Sequence, residues 1–120
     1  MKKFFGLIIL LGISLTPSLA YMGSSFDEPI YVCASHILVP DEIQAQKLKL
    51  EIKDLNDFRE LATIYSQCPS SKKSGYLGCF GKGQMAKPFE KAAFNGKVGE
   101  VIGPVKTDFG YHLIWVNRKF

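Results

Sequence analysis

The chain has 120 residues, nearly half of them apolar, and a formal net charge of +4. This is length for one domain with one core. Two of the positive charges, Lys2 and Lys3, sit at the very start; the rest is mildly basic and has no stripe of Lys and Arg with interleaved aromatics, which argues against a nucleic-acid partner.

In chain order, Lys2 and Lys3 precede an apolar run from Phe4 to Leu15, followed by "TPSLA" with small Ser18 and Ala20. The run is shorter than the ~20 residues of a spanning helix. The pattern is that of a secretory leader, residues 1–20, cleaved after Ala20. It predicts export to a periplasm or the extracellular space, with no stable membrane anchor after cleavage and a working chain that starts at Tyr21. Residues 21–29 read as a flexible lead-in, and residues 30–120 as the folded domain.

"IYVCASHILV", Ile30 to Val39, is β-rich and bounded by Pro29 and Pro40, so it predicts a strand buried on both faces. Asp41 suits the start of a helix whose stripe is Ala45, Leu48, Ile52 and Leu55. A second helix is expected from Asn56 or Asp57, because Asp57 and Glu60 have capping-box spacing; Phe58, Leu61, Ala62 and Tyr65 form its apolar face. "CPSSKKSG" is a loop of turn formers. "YLGCF" reads as a short strand, "GKGQMAK" as a loop, and "PFEKAAF" as a short helix with Pro88 early, where its missing N–H costs nothing. "EVIGPVKT" and "YHLIWVN" read as strands joined by "DFG". In the last strand Tyr111, Leu113 and Trp115 face one way and His112, Ile114 and Val116 the other. The order β-α-α-β-α-β-β, without repeats or linkers, predicts an α+β domain with a mostly antiparallel sheet.

Few residues can carry chemistry. His36 and His112 fall in strands near opposite ends of the domain; each is a satisfied core residue or one of a pair that fixes the other's tautomer. Cys68 lies in a loop, where it is bland unless a histidine is beside it. Met85 and Phe89 are either core or the wall of an apolar pocket. "GCFGKG" lacks both the Lys-Ser/Thr pair of a P-loop and a dinucleotide fingerprint, so its glycines read as turns. Of the three cysteines, Cys33 and Cys79 fall on neighbouring strands, but alternation from His36 and Leu77 places them on opposite faces unless a bulge at Gly78 intervenes. A disulfide between them is therefore not expected. No cysteine spacing is CxxC, so neither a zinc site nor a thioredoxin-type site is suggested.

Three motifs, "ASHILV" around His36, "YSQCPSSKKSGYLGCFGKGQMAKPFEKAAF" from Tyr65 and "GPVKTDFGYHLIWV" from Gly103, together resemble the parvulin family of peptidyl-prolyl cis-trans isomerases. The resemblance runs from Val32 to Asn117. It implies the parvulin fold, a four-stranded antiparallel sheet surrounded by helices, and isomerisation of X-Pro bonds in exported or unfolded polypeptides without a cofactor or metal. It implies roles too: His36 and His112 as the paired histidines, Cys68 where the family has Cys or Asp, Thr107 tuning the histidines, Leu77, Met85 and Phe89 around the proline ring, Phe109 at the pocket edge, and Gln84 as a structural residue. Tyr76 departs from the family, which usually has an acidic residue there. The expected partner is a proline-containing polypeptide and the expected state a monomer. Two rival readings are a non-catalytic peptide-binding chaperone module and a covalent enzyme with Cys68 as nucleophile. Pro40, Asp41 and Glu42 occupy the loop where phosphate-reading relatives place basic residues, which predicts phosphate independence.

Overall fold

The computed structural model describes residues 28–120. The expected leader and most of the expected lead-in lie outside the described residues. Strands β1 (Val32–Val39), β2 (Tyr76–Phe80), β3 (Val101–Thr107) and β4 (Gly110–Lys119) form one antiparallel sheet in the order β2-β1-β4-β3. Helices α1 (Glu42–Glu51) and α2 (Leu55–Tyr65) follow β1, a 3-10 turn (Pro69–Lys73) leads into β2, and α3 (Lys87–Asn95) joins β2 to β3. The fold class and element order are those expected, with the 3-10 turn added inside the "CPSSKKSG" loop. Among the described residues, no helix is long and apolar enough to cross a membrane.

Alternation along β1 and β4 divides the core. Ile37, Val39, Leu113 and Trp115 pack with Ala45, Leu48, Phe58 and Ala62 of α1 and α2. Val32, Ala34, Ile114 and Val116 pack with Phe80 and with Phe89, Ala93 and Phe94 of α3. The two central strands are thus buried on both sides, while β2 and β3 form the edges.

Helix starts follow the acids, with one correction. Asp41 caps α1 by accepting from Gln44 N at 3.1 Å. The cap of α2 is Asp54, which accepts from Asp57 N at 2.9 Å, so the helix begins earlier than the Asp57–Glu60 spacing suggested. Asp57 itself reaches back to Lys53 N at 2.9 Å. The acidic pair at the helix start is therefore Asp54 and Asp57: Asp54 satisfies a backbone donor that the helix leaves free, and Asp57 ties down the residue before the cap.

A second correction concerns the cysteines. Cys33 pairs directly with Cys79 across β1 and β2, and their sulfurs are joined in a disulfide. The ladder then slips: Ala34 opposes Gly78, but Ser35 opposes Tyr76, so Leu77 is the extra residue of a bulge. Gly78 beside it has φ +88°, a conformation that glycine adopts at little cost. A one-residue bulge reverses the alternation, which is how Leu77 can line the site while Cys79 meets Cys33.

Candidate active site

His36 opposes Ile114 and His112 opposes Leu38, so the two histidines are diagonal neighbours on one face of the β1–β4 pair. Both are buried. Their rings stack, with centroids 5.1 Å apart at 22°, and Nδ1 of one lies 3.0 Å from Nδ1 of the other. Between two neutral rings one proton serves this contact: one Nδ1–H donates and the other Nδ1 accepts. Thr107 Oγ1 is 2.7 Å from His112 Nε2 and accepts from Phe109 N–H at 3.1 Å. A hydrogen-bonded chain therefore runs from the β3–β4 turn through Thr107 and His112 to His36. His36 Nε2, at its far end, is buried and has no partner among the described residues.

Burial is the main cause that holds both rings neutral. It lowers the pKa of His36 to about 4, with the charge of His112 adding to the shift, and it also moves His112 below the usual histidine value. Phe89 seals the pair from the α3 side, with its ring edge-on to His36 at 5.6 Å and to His112 at 5.2 Å. The β2 side is sealed by a close backbone approach. His36 N donates to Gly75 O at 2.9 Å, and a Cβ on Gly75, whose φ is +87°, would lie 2.6 Å from His36 O. Only glycine fits there.

Above the histidines opens a mostly apolar cavity of about 420 Å³. His36, Cys68, Leu77, Met85, Phe89, Thr107, Phe109 and His112 all line it, so the eight site residues expected from sequence converge on one place. Phe109 is 75% exposed, in keeping with an edge position. Gln84 is not in the lining; its Oε1 accepts from Gly81 N at 2.9 Å and braces the loop that carries Met85. Tyr76 is not in the lining either, and its hydroxyl lies 3.9 Å from Cys79 Sγ. Cys68 is a half-buried free thiol, and among the described residues no hydrogen bond links it to either imidazole. The nucleophile–base contact that a covalent enzyme needs is not formed.

Leu38, Gln67, Pro69 and Ala86 line the cavity as well, without having been singled out in the sequence. Ser66 ties this segment to β1: its Oγ accepts from Leu38 N at 3.0 Å and Cys68 N at 3.4 Å, while Gln67 N donates to Leu38 O at 2.8 Å. A serine directly after a helical run, two residues before a predicted site cysteine, is the signal that could have found this brace.

The comparisons with known proteins fit this geometry. The family described as PPIC-type PPIASE domain (rotamase) matches residues 41–118, a span that begins just after β1 and so omits His36. The foldase protein PrsA of Geobacillus kaustophilus is 54% identical over 87 residues, which are 72% of this chain and 31% of the relative. The chain thus spans about a third of the length of the curated relatives it matches. A crystal structure of the peptidylprolyl isomerase PrsA from Bacillus anthracis superposes with a TM-score of 0.70 at 39% identity, over 78% of this chain and 43% of that one. The solution structure of NmPin, the parvuline of Nitrosopumilus maritimus, gives a TM-score of 0.60 at 46% identity, over 72% of this chain and 95% of that one.

Proposed function

The chain belongs to the PPIC-type rotamase family, and from that premise we propose that its cavity isomerises X-Pro bonds in exported or unfolded polypeptides. One observation carries this reading: a largely apolar cavity whose floor is a hydrogen-bonded histidine pair held neutral by burial. An X-Pro bond has isomers within about 0.5–1 kcal/mol of each other, separated by a barrier of ~18–20 kcal/mol that comes from amide resonance. The twisted amide has lost that resonance and is less polar at its carbonyl. An apolar cavity therefore stabilises it relative to the planar amide, which gives up more hydration on entry.

In this reading Leu77, Met85 and Phe89 hold the proline ring while the preceding residue turns. The histidine pair, fixed by Thr107, gives the turning carbonyl a rigid floor that needs no proton transfer, and Cys68 borders its path. Phe109 closes the outer edge. No covalent bond forms. A phosphate directly before proline is disfavoured, since the β1–α1 turn offers Pro40, Asp41 and Glu42 instead of basic residues.

The decisive experiment is an isomerisation assay on residues 21–120 with peptides that differ in the residue before proline. Accelerated exchange that Met85→Ala weakens is the expected result. Peptide affinity without acceleration would assign the cavity to a binding module instead. The export half of the reading rests on the leader pattern of residues 1–20, and intact mass from a cell-envelope fraction tests it, with Tyr21 as the expected first residue.

A further inference from the structure

The cavity does not end at its rim. A second cleft of about 450 Å³ is lined by Ala86, Lys87, Pro88, Lys106, Thr107 and Asp108. Ala86 and Thr107 line both spaces, so the two adjoin, between the start of α3 and the end of β3. A polypeptide with its proline in the first must leave the pocket on two sides. One exit passes the Gln67–Pro69 segment, and the other passes Ala86 and Thr107. At roughly 3.3 Å per extended residue, a side chain about one to three positions from the proline reaches the second cleft.

The charges there are uneven. Lys87 and Lys106 face a single acid, Asp108, and all three are exposed. Three other lysines of the domain are engaged: Lys49 and Lys119 donate to the carbonyls of Gly103 and Phe94, and Lys82 lies over the Phe94 ring. Lys87 and Lys106 have no such partner among the described residues. The neighbouring Glu90 is occupied by Gly83 N.

We propose that this cleft is a specificity subsite for the carboxylate of an Asp or Glu that flanks the bound proline on one side. The assignment rests on the reading of the first cavity as a proline site. Two unpaired ammonium groups attract a carboxylate, while Asp108 keeps the attraction modest, and solvent and salt weaken it further. The subsite thus selects among proline segments without trapping any of them.

The test uses residues 21–120 and two peptide series around one proline, Glu against Gln, with the substitution stepped along the residues before or after it. Affinity and isomerisation are both measured, at low and high salt. In one series Glu should improve kcat/KM by roughly two- to fivefold, as expected for exposed charge pairs. The gain should disappear at high salt and in the Lys87→Ala/Lys106→Ala protein, and grow in Asp108→Asn. The series that responds identifies which flank of the proline crosses Ala86 and Thr107. Turnover with no Glu preference in either series, or a preference that survives the double lysine variant, overturns the subsite and leaves the isomerase reading intact. Lysine-dependent affinity for Glu peptides without any turnover overturns the isomerase reading and leaves the subsite intact. No binding and no turnover overturns both.

Discussion

The two faces of the sheet are built from alternate residues of the same two strands, yet they end differently. On the α1–α2 face, Ile37, Leu113 and Trp115 meet Phe58 in a buried core. On the α3 face the same alternation delivers Val32, Ala34, Ile114 and Val116, then His36 and His112. At the histidines the apolar layer stops and the cavity begins. One face serves stability alone, and the other trades closure for a site. A buried polar pair inside an otherwise apolar alternation marks the change.

The largest expected effect breaks the closed face. Phe58 is fully buried against Trp115, so Phe58→Ala should cost about 3–5 kcal/mol of stability. The protein that remains folded should isomerise as before, as urea titration beside a rate assay would show. A matching loss of activity per folded molecule would mean that the two faces are not separable.

The open face should respond to pH in a way the closed face cannot. The folded pKa of His36 is lowered to about 4 from an ordinary 6.5, and that of His112 is lowered as well. Between these values the unfolded chain binds protons that the folded chain refuses. Stability is therefore full above about pH 6.5 and falls as pH drops towards 4, by up to roughly 3 kcal/mol for His36. His36→Asn should flatten this slope in denaturation curves measured across that range. An unchanged slope would trace the pH dependence to the carboxylates.

Two substitutions at the rim sharpen the comparison. Phe89 is both core and wall, in contact with Phe80 and with both histidines, so its removal cannot separate the roles. Met85 is only partly buried, and Met85→Ala should cost under ~2 kcal/mol of stability while lowering kcat/KM about tenfold. Equal losses would make Met85 core. The smallest effect belongs to Cys68→Asp, which should retain substantial activity, because the site as proposed forms no bond to sulfur. Complete inactivation of a folded variant would restore a nucleophilic role.

Much of this arrangement was legible because the signals were local or periodic. The strands and the two faces of β4 follow from spacing, whereas the first helical stripe was read too long: Ala45 and Leu48 lie in α1, Ile52 caps its end and Leu55 opens α2. The Cys33–Cys79 bond was misjudged because one inserted residue, Leu77, reverses alternation, and nothing in "YLGCF" says which residue the ladder will skip. The start of α2 was misplaced because Asp54 and Asp57 are both competent caps, three residues apart. The meeting of His36 with His112 was only a possibility from the residues themselves, since it depends on a register between strands 76 positions apart. Leu38 and Gln67 are joined by a backbone hydrogen bond, and Ser66 adds one to Leu38 N, which no side-chain pattern announces.

The Cys33–Cys79 link closes a covalent ring over a sequence separation of 46. His36, Cys68 and Leu77 lie inside the ring, whereas Met85, Phe89, Thr107, Phe109 and His112 lie outside it. A protease that cuts the exposed Lys72–Lys73 turn opens the ring without releasing a fragment, since each piece keeps one end of the bond. A nicked molecule would keep both halves of its site tethered, and the cut would show only when the sample is reduced.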